Sequence, residues 1–345
     1  EGAVLLTEIR DASGKRGRAD TPSRTPRKPP AGGGFWCDPQ APLWLGMRES
    51  ELLGHIAGRS RGLVAGAGWV VIAGPGDDCA VMRSPTGDVS LLTVDQVVAG
   101  RHFEPGTALG LIARKAVARS VSDIAAMGGV PAWGMATGLL PEGYRAGSEL
   151  FDAMADWAIR FGCPLIGGDI AAHASPDHPL TLTVTVGGSM DPGVSPVMRS
   201  GAQAGDRVWL TGRLGGSFAS GRHLAFEPRV GAGRSLARAG ARAMIDLSDG
   251  LGRDAGRVGS ASGVRIEIET DRIPLHDGVA DWRTGASEGE DYELLVAGPG
   301  CLAERVPGLL GPIGRVHACG PGDAGAWFVE PGGGLVDAGT MGWDH

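Results

Sequence analysis

The sequence predicts a two-domain α/β protein with mixed sheets, on three observations. Short β-branched or alternating segments are interspersed with stretches of helical apolar spacing. This alternation stops at a turn-rich break, Asp191 to Pro196, and starts again after it. The 345 residues suffice for two domains of ordinary size, and 42% hydrophobic residues give each enough apolar surface for a core. Glycine and proline, 60 and 23 residues, are read against that apolar content as tight turns and close backbone approaches rather than disorder.

Residues 1–46 stand apart. Seven Lys/Arg there face five Asp/Glu, and Ser23 to Gly34 is a Pro/Gly/basic run without hydrophobic period, the composition of a disordered or non-native tail. The first methionine, Met47, directly precedes the periodic Glu51-Leu52-Leu53-Gly54-His55-Ile56. A misassigned start or a cut precursor accounts for the tail better than a transit peptide does, because acidic residues are present. The domains are therefore expected at 47–193 and 194–345.

Within the first domain, Val81, Leu91-Leu92-Thr93 and Leu180 to Val186 read as strands, the last by its apolar/Thr alternation. Leu109, Ile112, Ala113, Ala116, Val117, Val121 and Ile124 recur at helical spacing, and Gly128-Gly129 with Pro131 supplies a stop. A second helix, Glu149 to Phe161, leads into a buried strand, Pro164-Leu165-Ile166, that delivers Gly167-Gly168-Asp169 at its end. In the second domain a strand at Arg207 to Thr211, a Gly-rich turn and a helix precede the strand Ala243 to Asp246. Ser248-Asp249-Gly250 opens the next helix, and strands follow at Val264 to Ile268 and Tyr292 to Ala297.

Composition excludes several functions. A net charge of −7 without a basic stripe provides no footprint for nucleic acid. Five separated cysteines without a CxxC pair suit the reduced thiols of a cytoplasmic protein, not a zinc site or a disulfide framework. No apolar run approaches a membrane span.

The chemistry is carried by aspartates set among glycines and small residues: Gly76-Asp77-Asp78, Thr93-Val94-Asp95, Ser122-Asp123, Gly167-Gly168-Asp169 and Asp246-Leu247-Ser248-Asp249-Gly250. Dispersed carboxylates that converge repel unless hard cations neutralise them, and oxygen-rich sites suit Mg²⁺, which shares its shell with phosphate. The chain thus reads as an enzyme acting on nucleotide or phosphate through Mg²⁺. Each segment also has an ordinary reading. Asp77-Asp78 suits a hairpin turn, and Asp123 follows Arg119 by four residues, as in an intrahelical ion pair. Ser248 and Asp249 suit helix caps, while Arg199 could clamp phosphate or meet a surface acid. His102 alone carries little weight. Asp95 at a strand's end and Glu290 within Glu288-Gly289-Glu290-Asp291-Tyr292-Glu293 are expected at a cleft.

In order and spacing these segments resemble the thiamine-monophosphate kinase family of the aminoimidazole-ribonucleotide-synthetase-like superfamily. The likeness runs from about Met47 to His345. It rests on Gly76 to Ala80, Asp95 through His102-Phe103, Ser122 to Gly128, Ile166 to Asp169, Arg199 to Ala202, Asp246 to Leu251, Glu290 to Leu294 and the closing Gly342-Trp343-Asp344-His345. The resemblance implies two α/β domains, the N-terminal one pairing sheets in a homodimer, and transfer of phosphate from ATP to thiamine monophosphate with several Mg²⁺ ions. It assigns Asp78, Thr93, Val94, Asp95, Asp123, Asp169, Asp246 and Asp249 to metal, and Gly168, Asp169, Arg199 and Ser248 to ATP. His102, Glu290 and Trp343 fall to the thiamine substrate, and no side chain acts as covalent nucleophile. Val94, Ile170 and Glu288 depart from the family pattern, which usually has a hydroxyl residue, Thr and Gly there. Another ATP-using synthetase of the superfamily, or a degenerate nucleotide-binding or maturation protein, is the alternative.

Overall fold

The computed structural model describes residues 49–60 and 65–343, so the expected tail, Asp344 and His345 lie outside the described residues. After α1 (Glu49–Ser60), the first half contributes β1 (Val70–Ala73), β2 (Ala80–Arg83), β3 (Val89–Val98), α2 (Leu109–Ala126), β4 (Val130–Leu140), α3 (Gly147–Arg160), β5 (Leu165–Ala172) and β6 (Thr181–Ser189). Its strands lie in the order β1-β2-β3-β6-β4-β5, with β4 and β5 parallel and the other neighbours antiparallel. The second half follows with β7 (Arg207–Leu210), α4 (Arg222–Ala225), α5 (Val230–Ala239), β8 (Ala243–Asp246), α6 (Leu251–Ser262), β9 (Arg265–Glu269), α7 (Trp282–Ser287), β10 (Leu294–Gly298), α8 (Leu302–Arg305), β11 (Leu310–His317), β12 (Gly325–Val329) and β13 (Leu335–Asp337). These strands form a second mixed sheet, β13-β12-β9-β11-β7-β10-β8. Among the described residues no helix is long and apolar enough to cross a membrane.

The elements expected from periodicity are present, with two corrections that bear on the site. Strand β3 continues to Val98, so Asp95 sits mid-strand, held by pairing with Val184 of β6. Likewise β5 runs through Asp169 to Ala172, because β4 templates it residue by residue from Met135 to Leu140. Pro131, read as a helix stop, lies inside β4, where an irregularity between Pro131 and Trp133 tolerates its lost N–H.

Helix α2 is the axle of the molecule. Its residues from Ile112 to Ala126 are buried almost all round, since it packs on β3, β6 and α3 of its own half and on α5 and β8 of the other. A helix covered on opposite sides needs small residues, and Ala113, Ala116, Ala118, Ser120, Ser122, Ala125 and Ala126 supply them. The approach of α5 is closer still: a Cβ on Gly233 would stand 2.0 Å from the Ala125 carbonyl oxygen. Ala126 then packs in one cluster with Leu236, Met244 and Leu294 of the second half. The cleft between the two sheets is thereby fixed over α2.

Candidate active site

Five elements deliver acidic side chains to that junction. The turn before β2 carries Asp77 and Asp78, β3 carries Thr93 and Asp95, α2 carries Asp123, β8 ends on Asp246, and the segment before β10 carries Glu290. Carboxylate oxygens of Asp78, Asp123 and Asp246 lie within 4.8 Å of one another. Each is oriented by a neighbour. The Thr93 hydroxyl donates to Asp123, the Ser122 hydroxyl to Asp246 Oδ2 at 2.6 Å, and Arg199 Nη2 to Asp78 Oδ1 at 2.6 Å. Burial and the surrounding acids raise Asp123 and Asp246 well above the usual carboxylate range. Burial, with Asp78 beside it, pushes Asp77 up to about 6.

The donor set fits a hard divalent cation. It consists of oxygens, it is crowded with like charge, and Asp78 Oδ2 is buried without a hydrogen-bond partner, a costly state that a cation would relieve. A groove of about 470 Å³ reaches the same place, lined by Gly74, Asp77, Asp78, Leu92, Thr93 and Val94 among others. Val94 is 61% exposed and offers only its backbone as a donor of electron pairs.

The ordinary reading of Asp123, an intrahelical pair with Arg119, does not hold: Arg119 turns instead to Asp95 at 3.4 Å and to the Gln96 carbonyl at 2.8 Å, leaving Asp123 to Thr93. Nor do Ser248 and Asp249 cap α6. Gly250 precedes that helix without a side-chain cap, the Asp249 N–H goes to Asp254 Oδ2 at 3.0 Å, and the Asp249 carboxylate meets Arg257 at 2.5 Å.

Asp169 is not brought to the cluster within one chain. It lies in register with Thr137, Thr183 and Gln96, and Gln96 Nε2 bonds Thr183 Oγ1 at 3.1 Å. The adjacent row, Asp95, Val184, Ala136 and Gly168, is the one turned toward α2, so strand alternation puts Asp169 on the outer face of the sheet, exposed. Gly168 has a steric reason of its own, since a Cβ there would come 1.8 Å from the Ala136 carbonyl oxygen.

Of the residues that the resemblance assigns to thiamine, Glu290 and the His102 turn are joined through one lysine, and Trp343 stands beside Gly289. The Glu290 carboxylate pairs with the buried Lys115 of α2, whose Nζ also donates to the His102 carbonyl at 2.7 Å. Burial, partly offset by Glu290, brings Lys115 down to about 8. His102 Nδ1 accepts from the Val98 N–H at 2.9 Å. Glu290 and Tyr292 adopt φ of 56° and 53°, and Gly289 67°, left-handed conformations that non-glycine residues hold only under constraint. The constraint is visible: the N–H groups of Glu290 and Tyr292 bond the carbonyls of Ser248 and Leu247. Trp343 is held by two hydrogen bonds, its N–H on the Asp249 carbonyl at 2.9 Å and its indole N–H on the Glu288 carbonyl at 2.6 Å. Glu288, where the family usually has Gly, turns its carboxylate to the Gly216 N–H.

Sequence reasoning missed Lys115, Arg119 and Asp254. The first two were signalled only by charges recurring inside an apolar helical period, which reads equally as a solvated stripe. Asp254 is fully buried, orients both Asp249 and Arg257, and is raised to about 7 by burial and by Asp249.

Comparison with known proteins accords with this geometry. Residues 76–190 match the family described as AIR synthase related protein, N-terminal domain. The chain is 33% identical over 283 residues to the thiamine-monophosphate kinase of Rhodopirellula baltica, spanning 76% of this chain and 84% of that one. To the enzyme of the same name from Escherichia coli K12 it is 33% identical over 274 residues, 71% and 82% of the two chains. A solved structure of AaThiL complexed with AMPPCP and TMP superposes with a TM-score of 0.73 at 26% identity, over 89% of this chain and 99% of the other.

Proposed function

Because the chain belongs to the thiamine-monophosphate kinase family, we propose that it phosphorylates thiamine monophosphate with ATP to give thiamine diphosphate. The observation that carries this reading is the convergence of Asp78, Asp123 and Asp246, one with an orphaned oxygen, beside the end lined by His102, Glu290 and Trp343. The acceptor is a phosphate oxygen already ionised near neutral pH, so neither a nucleophilic side chain nor a general base is required. What must be overcome is the meeting of two polyanions, a problem of charge and position.

Asp78, Asp123 and Asp246 would hold Mg²⁺, with Thr93, Val94, Asp95 and Asp249 at its margin. When bound, the ion neutralises phosphate charge and fixes the line of transfer. Arg199 and Ser248 belong to ATP in this reading, together with Gly168 and Asp169. Lys115 keeps Glu290 and the His102 turn together, so that the thiamine end is assembled before substrate arrives. The half with β1 to β6 acts as the nucleotide and metal domain and the half with β7 to β13 completes the substrate pocket.

A homodimer through the outer face of the first sheet belongs to the same proposal. That face bears Val94 at 61% and Met135 at 39% exposure, an apolar surface suited to a second copy. It also bears Asp169, whose part in nucleotide binding therefore depends on the pairing. The deciding assay is purified protein with ATP, Mg²⁺ and thiamine monophosphate, scored for thiamine diphosphate. Hydrolysis of ATP without that product would reject the assignment.

A further inference from the structure

Helix α2 presents Lys115, Arg119 and Asp123 at i, i+4 and i+8 along the side turned to the site. The two ends of this row have partners that define them. Lys115 lies between Glu290 and the His102 carbonyl at the thiamine end, and Asp123 lies with Asp78 and Asp246 at the metal end. Arg119 stands between them, about 6 Å along the helix axis from each. An acceptor whose ring system is held at one end and whose phosphate must meet the nucleotide at the other carries that phosphate past Arg119.

The guanidinium there is incompletely used. Nη1 donates to the Gln96 carbonyl at 2.8 Å, Nη2 reaches Asp95 only at 3.4 Å, and Nε is buried without a hydrogen-bond partner. Burial opposes its charge, but Tyr292, Asp95, Glu290 and Asp123 around it outweigh burial and keep it protonated. A planar cation with a donor to spare, set between two groups of carboxylates, matches a phosphate better than any other group along α2, since Lys115 is taken up by Glu290 and the His102 carbonyl.

We propose that Arg119 binds the phosphate of thiamine monophosphate and makes that phosphate a condition of tight binding. The inference rests on the kinase reading above. It explains how the cleft distinguishes the phosphorylated acceptor from thiamine itself, a task the carboxylates alone would oppose by repulsion.

The test is calorimetric titration of the full chain, in Mg²⁺ and a non-hydrolysable ATP analogue, with thiamine monophosphate and separately with thiamine. Wild type should prefer the monophosphate by roughly tenfold or more, the worth of one charge-assisted phosphate contact. In Arg119→Met that preference should shrink to about threefold or less, through loss of monophosphate affinity, with thiamine and the ATP analogue bound as before. Arg119→Lys should retain part of the preference. Should the methionine variant fail to fold, Arg119→Gln, which keeps a donor for Asp95 without the charge, decides by the same ratio. A variant with the wild-type ratio, or with equal losses for both ligands, overturns the assignment of Arg119. Wild-type protein that shows no preference between the two ligands would instead overturn the kinase reading.

Discussion

Asp246 illustrates how burial and like charge bear on a single residue of the proposed cation site. It ends β8, fully inside, with one oxygen taken by Ser122 and its charge opposed by Asp78. Asp246→Asn removes that repulsion and keeps an acceptor for the hydroxyl, so the metal-free protein should melt at or above the wild-type temperature while turnover falls at least 100-fold. Calorimetry and the product assay on the same sample check both halves; normal turnover would remove Asp246 from the site. Trp343 supports a second expectation. With its indole N–H anchored on the Glu288 carbonyl and the residue 36% exposed, Trp343 is proposed to cover the cationic heterocycle, so Trp343→Ala should raise KM for thiamine monophosphate about tenfold and leave KM for ATP unchanged. Equal rises in both would instead indicate a loosened terminus. At this scale the aspartates were legible only as an ordered set, because a carboxylate among glycines taken singly suits a turn or a helix cap equally well. Lys115 and Arg119 were not, because a charge on a helix declares itself only when both faces of that helix prove to be covered.

The decisive element is α2 with its crossing partner α5. Gly233 meets the Ala125 carbonyl at a distance no side chain allows, and Gly128, at φ 72°, would drive a Cβ to 2.5 Å from Ala237. Gly233→Ala should therefore cost about 1–3 kcal/mol of stability by forcing the helices apart. Because α2 carries Asp123, Arg119 and Lys115, turnover should fall even at temperatures where the variant remains folded. Denaturant unfolding beside kinetics separates the two effects, and a neutral variant would show that the crossing is softer than its geometry. The periodicity of Leu109 to Ile124 sufficed to place α2, and Gly128-Gly129 its end. The mid-strand positions of Asp95 and Asp169 were not legible, since strand length here is imposed by the neighbouring strand and not by local propensity.

At the scale of the whole molecule, crowded buried acids should make stability depend on pH. Asp77 at about 6 and Asp254 and Asp291 at about 7 are all raised, first by burial, from an ordinary 3.8. Between about pH 4 and 7 the folded chain retains protons that the unfolded chain has released, so these groups' contribution is largest at the acidic end and is lost as pH rises to about 7. In EDTA the melting temperature should accordingly be lower at about pH 8 than at about pH 5, and Mg²⁺ with nucleotide should narrow the difference. A melting temperature that rises over this interval would contradict the crowding. The proposed dimer makes a separate prediction. If Asp169 serves the partner's site, Asp169→Asn and Asp246→Asn proteins, each inactive alone, should regain about a quarter of wild-type activity when subunits are exchanged, because about half of the dimers become heterodimers and each of these has one complete site of its two. Failure to complement despite exchange would return Asp169 to a structural role.

The sequence by itself determined the alternation of strands and helices and the acidic segments that suggest phosphate chemistry, because periodicity and composition are local properties that survive without coordinates, while the reaction class followed from the family resemblance that those segments carry in order. Only the tertiary structure decided which acids converge, that Asp169 faces away from them, and that Arg119 turns from Asp123 to Asp95. Those outcomes depend on strand register and on a helix buried from both sides, and both are fixed by packing between segments remote in sequence.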